Sequence, residues 1–235
     1  MTRSAVYAAV CLILLSAPAL AVGPVIDYGS FSGPTVTFGD PSGTGVTEQT
    51  QTAFDPDVLY GAPLLLGDQL LFFPTQFGSS TTGGGSDSTE SLLSMQITGN
   101  GPLDAVSMIS LTDFGDTVLS GTGTNATATT VSLTGKVTVL EDIFGPIVPV
   151  VINFSGTFGP TDAFDLPTNP GATNWSGNVM IDVASVIPNA TVVVLELTNL
   201  LTSNSEVSSS ATITKKVVSG PVVAIEVLPE PVCDL

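Results

Sequence analysis

Apolar and polar residues alternate along several stretches of this chain, and a period of two is the pattern of a β-strand that buries one face. Between residues 129 and 140, valine and leucine occupy most odd positions, whereas threonine, serine and lysine occupy most even positions. The same alternation recurs at residues 150–158, 193–201 and 223–227. The chain is therefore expected to fold into sheets that have one buried and one solvent-exposed face.

Shorter segments rich in threonine, valine and serine predict further strands. They lie at residues 25–28, 35–38, 47–53, 69–73, 88–98, 105–111, 117–122, 175–181 and 208–217. Glycine and proline separate the segments at short intervals and mark turns, as at Gly33-Pro34. A helix is expected nowhere except for a single turn from Asp182 to Ile187, which Pro188 ends. Many short strands joined by turns predict an all-β fold, a single antiparallel β-sandwich or jelly roll.

The N-terminus predicts export. Residues 1–21 have the organisation of a secretory signal peptide: Arg3 supplies the positive charge and an apolar run follows. Ala19 and Ala21 form the small-x-small pattern that a signal peptidase cleaves. No later stretch is apolar for long enough to cross a bilayer, so the mature chain is expected to lack a membrane span.

The remainder of the chain is expected to form one domain. Residues 22–228 make up the predicted β-sandwich, and residues 229–235 follow it as a C-terminal remnant. The segment 78–86 is rich in glycine and serine, but it is short enough to be a surface loop of that domain.

Charge excludes several kinds of chemistry. The chain has 21 acidic residues, four basic residues and no histidine, for a formal net charge of −17. Without histidine, serine–histidine catalysis and zinc or copper sites built on histidine are excluded. The acidic balance repels nucleic acid and anionic membranes, so neither is an expected partner. We therefore expect a protein that is not an enzyme.

Acidic side chains are the remaining candidates for ligand binding. Calcium takes oxygen ligands from carboxylates and backbone carbonyls on irregular loops. The candidate calcium ligands, each near a predicted strand end or loop, are Asp55, Asp57, Asp87, Glu90, Asp113 and Asp116. The alternative is that these acids lie in solvated turns and bond to nearby backbone. No cofactor other than calcium is expected.

Three other side chains, Trp175, Lys215 and Lys216, have an expected place in the fold. Trp175 is either a platform for stacking a sugar or, as the sequence favours, a core residue at a strand start. Lys215 and Lys216 are adjacent, so a strand would point them to opposite faces. Lys216 is then expected in solvent, and Lys215 is expected to protect a sheet edge from pairing.

The C-terminal sequence Pro229-Glu230-Pro231 resembles the start of the PEP-CTERM sorting signal of bacterial exported proteins. In that family an apolar helix and a basic tail follow the tripeptide, whereas this chain ends at Leu235 with neither. Residues 61–77, 83–87, 113–116 and 212–221 also resemble planctomycete members of the class. The resemblance implies sorting by an exosortase and association with the cell surface, and it implies no reaction.

These observations favour an exported structural or adhesion protein of the cell surface or extracellular matrix. A calcium-stabilised carbohydrate-binding module is the alternative, and a carboxylate-dependent polysaccharide hydrolase is a third hypothesis. The expected partners are extracellular polysaccharide or matrix proteins.

Overall fold

The computed structural model describes residues 22–40, 42–101, 104–216 and 223–229. Within those ranges the chain forms strands only. They are β1 (Ile26–Asp27), β2 (Phe31–Ser32), β3 (Val36–Phe38), β4 (Thr47–Thr50), β5 (Leu64–Leu66), β6 (Gln69–Phe72), β7 (Gly78–Thr82), β8 (Gly85–Gly99), β9 (Val106–Gly121), β10 (Ala128–Asp142), β11 (Gly145–Ser155), β12 (Phe158–Gly159), β13 (Ala163–Asp165), β14 (Gly171–Asp182), β15 (Ala190–Ser205), β16 (Ser209–Lys215) and β17 (Val223–Pro229).

The strands build two antiparallel sheets that pack face to face, which confirms the predicted all-β sandwich. The first sheet has the order β1-β4-β8-β15-β10-β11, with β2, β3 and β13 alongside it. The second sheet has the order β12-β14-β9-β17-β6-β5, with β7 and β16 joined to it through β9. Strand β9 is the centre of the second sheet, because it pairs with β14 along one side and with β16 and β17 in succession along the other.

The alternation seen in the sequence decides which side chains fill the space between the sheets. In β8, β9, β10, β15 and β16 the odd-numbered residues face inwards and most are buried. Valine, leucine and isoleucine supply most of this layer, together with Trp175, Tyr60 and several phenylalanines. Some inward positions instead carry polar groups, among them Thr117 and Thr129, whose hydroxyls are 2.7 Å apart.

Two local predictions were wrong. Residues 105–111 and 117–122 were expected to be separate strands, but β9 is continuous because it is paired on both sides. The segment 78–86 is not a loop: it contains β7, the start of β8 and a tight turn between them. Gly83 and Gly84 have positive φ angles of 74° and 99°, which allow the chain to pass there from the second sheet to the first.

The predicted turn at Asp182 is confirmed. The Asp182 carboxylate accepts the backbone N–H of Ser185 at 2.9 Å, and Ile187 N–H donates to Val183 O at 3.0 Å. The predicted signal peptide, with Ala19 and Ala21, lies outside the described residues, as do Glu230 and Pro231 of the sorting motif. In the described part of the chain, no helix could cross a membrane.

Candidate functional site

Two of the predicted calcium ligands, Asp55 and Asp87, accept hydrogen bonds from the protein's own hydroxyl and N–H groups. Asp55 lies between β4 and β5 and accepts hydrogen bonds from Thr52 and Thr89. Asp57 is exposed two residues further on. Asp87 lies in β8 rather than in a loop, and it accepts the Ser80 N–H at 2.9 Å.

Glu90 also lies within β8, and it is half-buried on the outer face of that strand. The described residues contain no group of three or more acidic or cysteine side chains that could hold a metal ion. The structure therefore gives no geometric support to the calcium ligands expected from the sequence, and binding of calcium stays a prediction.

Asp113 and Asp116 do not form a loop pair, contrary to the expectation from the sequence. Both belong to the continuous strand β9, and because they are three residues apart their side chains point to opposite faces of the sheet. Asp116 lies on the outer face, where it accepts the Thr214 hydroxyl at 2.6 Å and the Lys216 ammonium at 2.9 Å. Asp113 points into the core, where it meets Lys215.

The Asp113–Lys215 pair is the centre of the candidate site. Lys215 ends β16, and its Nζ contacts Oδ2 of Asp113. The Lys215 side chain has no exposed surface and that of Asp113 is 2% exposed. Lys215 therefore does not protect a sheet edge as predicted; because β16 is an inner strand at that point, its inward side chain enters the core. Lys216 is exposed, as predicted.

The first sheet contributes a polar partner to this pair. Asn199 points inwards from β15, and of the two orientations of its amide only one satisfies the neighbouring groups: Nδ2 then donates to Asp113 Oδ2 at 3.0 Å and to Ser132 O at 3.3 Å. Its Oδ1 accepts the Tyr60 hydroxyl at 2.7 Å. Asp113 Oδ1, by contrast, has no hydrogen-bond partner among the described residues. Asp113, Lys215, Asn199 and Tyr60 thus form one polar cluster, the core cluster, that joins the two sheets.

Aromatic rings surround the amine of the core cluster. Lys215 Nζ lies 5.0 Å from the Phe77 ring centre and 5.5 Å from that of Trp175. Trp175 is 2% exposed, so the interpretation as a core residue is confirmed and the indole cannot stack on a sugar. Gly115 makes room for this ring, since a Cβ there would lie 2.1 Å from a Trp175 ring atom. Water is therefore excluded from the Lys215–Asp113 contact.

Burial shifts both ionisable groups of the pair. Desolvation raises the pKa of the Asp113 carboxyl, although Lys215 opposes the shift. Desolvation likewise lowers the pKa of the Lys215 amine, which Asp113 opposes. Both shifts are towards the uncharged forms, so burial weakens the preference of this pair for the charged state. Burial also raises the pKa of Tyr60, which keeps that hydroxyl a hydrogen-bond donor.

Glu48 fixes the segment that carries Tyr60. It is fully buried in β4, and its carboxylate accepts the N–H groups of Leu59, Tyr60 and Gly61. The Tyr28 hydroxyl donates to the same carboxylate at 2.6 Å. Nothing in the local sequence distinguishes Glu48 from a solvent-facing strand residue, and its role follows from contacts with a distant segment.

Two surface features lie outside the core cluster. The outer face of the first sheet has a shallow depression of about 460 Å³. Its lining residues are Leu92, Thr134, Gly135, Lys136, Asn153, Phe154, Glu196 and Thr198. Lys136 and Glu196 form an ion pair there at 2.9 Å. Polar side chains thus dominate the depression.

The second feature is the hairpin formed by β10 and β11 at the edge of the first sheet. Its tip and outer strand expose apolar side chains: Phe144 is 90% exposed and Val148 is 85% exposed, with Ile143 and Val151 beside them. Strand β11 ends the strand order, and Pro149 lies within it. We call Ile143, Phe144, Val148 and Val151 the edge patch.

Comparison with known proteins identifies no family: no family model matches the chain, and no curated protein matches it. Among solved structures, the chain is similar to TmCBM61 in complex with β-1,4-galactotriose, at 9% identity over 66% of this chain and 72% of that chain, with a TM-score of 0.21.

A loop-swap mutant of Xyn11A from Necallimastix patriciarum is also similar, at 9% identity over 85% of this chain and 94% of that chain, with a TM-score of 0.21. The Gx strain of infectious bursal disease virus gives 13% identity over 88% of this chain and 64% of that chain, with a TM-score of 0.18. Likenesses at these TM-scores support no argument about ligands or activity.

Proposed function

We propose that this protein is exported and serves as a non-enzymatic structural or adhesive module of the cell surface or extracellular matrix. The observation that carries the proposal is the enclosure of the core cluster. Asp113 and Lys215 have the kind of shifted pKa values that catalysis uses, yet they lie beneath both sheets rather than in a cleft. A substrate cannot reach them, so their role is within the fold.

Paired carboxylates offer no better basis for a hydrolase. Asp113 and Asp116 are close in sequence but lie on opposite faces of β9, and hydrolysis of a glycosidic bond needs two acids that flank one substrate. Asp116 is also occupied by Lys216 and Thr214. These contacts favour a structural role for the acids over a catalytic one.

The edge patch is the surface through which such a module would make its contacts. Exposed apolar side chains that cluster on one hairpin are typical of interaction sites. Pro149 removes a backbone donor from the free edge, which disfavours simple strand addition. We therefore expect the partner, a matrix protein or another copy of this chain, to pack against the side chains of Phe144 and Val148.

Cell fractionation tests this proposal with three versions of the full chain expressed in an exporting bacterial host. The wild-type protein should be recovered with the envelope and matrix, and the double variant Phe144→Ser/Val148→Ser should be released into the medium. Val207→Ser is the matched control, because Val207 is 77% exposed on a turn away from the hairpin, and it should be retained. Recovery of the wild-type chain in the cytosol would refute export, and retention of the double variant would refute the contact surface.

The depression on the first sheet favours a second candidate, a carbohydrate-binding module. Lys136, Glu196 and Asn153 place a donor, an acceptor and an amide around one shallow site of a size that suits a sugar ring. Retarded migration in gels that contain polysaccharide would support this candidate, provided that Glu196→Gln abolishes the retardation and Glu226→Gln, on the other sheet, leaves it. Thermal scans with calcium and with chelator would test the calcium prediction, since a bound metal raises Tm by mass action.

A further inference from the structure

The core cluster brings together the two reactants of an amide condensation. Asp113 in β9 and Lys215 in β16 belong to neighbouring antiparallel strands, and Lys215 is directly opposite Gly115 in the register. The aspartate is therefore the diagonal neighbour of the lysine on the same inward face, a spacing that a long side chain can cross. Lys215 Nζ contacts the Asp113 carboxyl group as a result.

We propose that Lys215 Nζ and Asp113 Cγ condense to form an amide, so that a covalent cross-link joins β9 to β16 inside the sandwich. The inference rests on the geometry of the cluster and stands independently of where the protein acts. The bond that forms is Nζ–Cγ and the bond that breaks is Cγ–Oδ1. Oδ1 leaves as water, which takes the acid's proton and one proton from the amine, and nothing is oxidised or reduced.

The surroundings of the pair favour this reaction in three ways. First, the fold holds the amine against the carboxyl group, which replaces a bimolecular encounter by an intramolecular step. Second, the aromatic rings of Phe77 and Trp175 exclude water, and desolvation lowers the pKa of the amine, which raises the share of its nucleophilic, unprotonated form. Third, Asn199 Nδ2 donates to Asp113 Oδ2, which stabilises the negative charge that develops on this oxygen during attack.

The hydrogen bonds of Asp113 also distinguish its two oxygens. Oδ2 is held by Asn199 and becomes the oxygen of the amide, whereas Oδ1 has no partner among the described residues and is the one that leaves. An ordinary buried ion pair is a poorer account of this arrangement. Burying two charges is costly unless good hydrogen bonds satisfy their lone pairs, and apart from the influence of the Phe114 N–H on the carboxyl, Oδ1 has no hydrogen bond of normal geometry among the described residues. Condensation removes both charges and the unpartnered oxygen together.

The position of Lys136 makes the cross-link directly testable. This lysine is exposed on the first sheet and lies between Asp113 and Lys215 in the sequence. Trypsin acting on the denatured full chain therefore separates the residue-113 side from the residue-215 side, unless a bond between these side chains holds the fragments together. The purified wild-type chain should give one bridged product, and its intact mass should be lower than the sequence mass by one water.

Lys215→Arg removes the nucleophile, so trypsin should release the fragment that ends at Lys136 separately from the fragment 137–215, and the undigested variant should have its full sequence mass. Lys216→Arg is the matched control, and it should leave both the bridged product and the water loss unchanged. Two separate fragments from the wild-type chain would overturn the proposal whether or not any variant folds. Loss of water without a bridged product would also overturn it, because a cyclised aspartate elsewhere would then account for the mass.

Discussion

Lys215 and Lys216 are neighbours in the chain, and each meets an aspartate of β9, yet the two pairs lie in opposite environments. Lys215 and Asp113 are enclosed between the sheets, whereas the side chain of Lys216 is 59% exposed beside Asp116 on the outer face. The two pairs share strand β9 and their residue types, and Lys216 directly follows Lys215, the last residue of β16. Comparing the two pairs therefore shows what burial does to a lysine–aspartate contact.

The comparison shows that side chains on the two faces of β9 lie in different chemical environments. On the outer face, water reaches the Lys216 ammonium, which screens its attraction to Asp116, and the ion pair adds little to stability. On the inner face, desolvation shifts the pKa values of Asp113 and Lys215 towards their neutral forms, and the fold holds the amine against the carboxyl group. Each prediction below changes one side of this comparison.

The largest effect is expected when one member of the inner pair is removed. Asp113→Ala leaves Lys215 in the core without its partner and prevents the cross-link, so the free energy of unfolding should fall by about 3–5 kcal/mol or more. Asp116→Ala, the same change on the outer face, should cost about 1 kcal/mol or less. Denaturant unfolding of the two variants measures both values, and equal losses would mean that Asp113 is not enclosed.

Replacing both members of the inner pair distinguishes a covalent cross-link from an ion pair. In Asp113→Leu/Lys215→Met no charge is left unpaired, so part of the loss seen in Asp113→Ala should be recovered. The double variant should still be less stable than the wild-type chain, because a cross-link that closes a loop of roughly 100 residues is worth on the order of 5 kcal/mol. A double variant as stable as the wild type would indicate that the pair contributes only as ions.

The free energy of unfolding of the Asp113→Ala variant should depend on pH. Burial lowers the pKa of Lys215 below its ordinary value of 10.5, so between the folded and unfolded pKa values the unfolded chain binds more protons than the folded chain. Stability must therefore rise as pH increases through that window and level off near 10.5.

At each pH, the unfolding free energy of the double variant Asp113→Ala/Lys215→Met is subtracted from that of Asp113→Ala. The difference isolates the contribution of Lys215, since the other titrating groups are common to both proteins. The difference between the two variants should shrink as pH rises. A difference that is constant with pH would contradict burial of Lys215 as an ionisable amine.

The smallest effect is expected on the outer face. Lys216→Ala should lower the free energy of unfolding by about 1 kcal/mol or less, and this loss should decrease at high salt because the exposed pair is screened. Unfolding at low and high ionic strength measures it. A large loss that is independent of salt would show that Lys216 has a buried contact.

The sequence predicted the sheets well because strand alternation is a local property. The alternation at residues 129–140 appears in β10, and adjacent positions placed Lys215 and Lys216 on opposite faces as expected. The expected role of Lys215 at a sheet edge was wrong, since that role depends on whether strands flank β16 on both sides. Those partners come from distant parts of the chain, β7 on one side and β9 on the other.

The candidate site could not be predicted, because the local sequence around its residues indicates turns rather than a buried strand. Aspartate and glycine favour turns, so Asp113 and Asp116 were expected in a loop, and only pairing on both sides makes β9 continuous there. Glu48 and Asn199 likewise gain their roles from contacts across the sandwich. Trp175 was predicted correctly, since a large apolar side chain at a strand start is usually buried.

Acylation of lysine amines in the folded protein, followed by sequencing of the peptides by mass spectrometry, tests the central claim most directly. The account predicts that Lys216 is modified rapidly in the native chain while Lys215 is not. It further predicts that Lys215 stays unmodified after the chain is denatured, because its nitrogen already belongs to an amide. Modification of Lys215 at the same rate as Lys216 in the native protein would contradict the enclosed cluster on which the account depends.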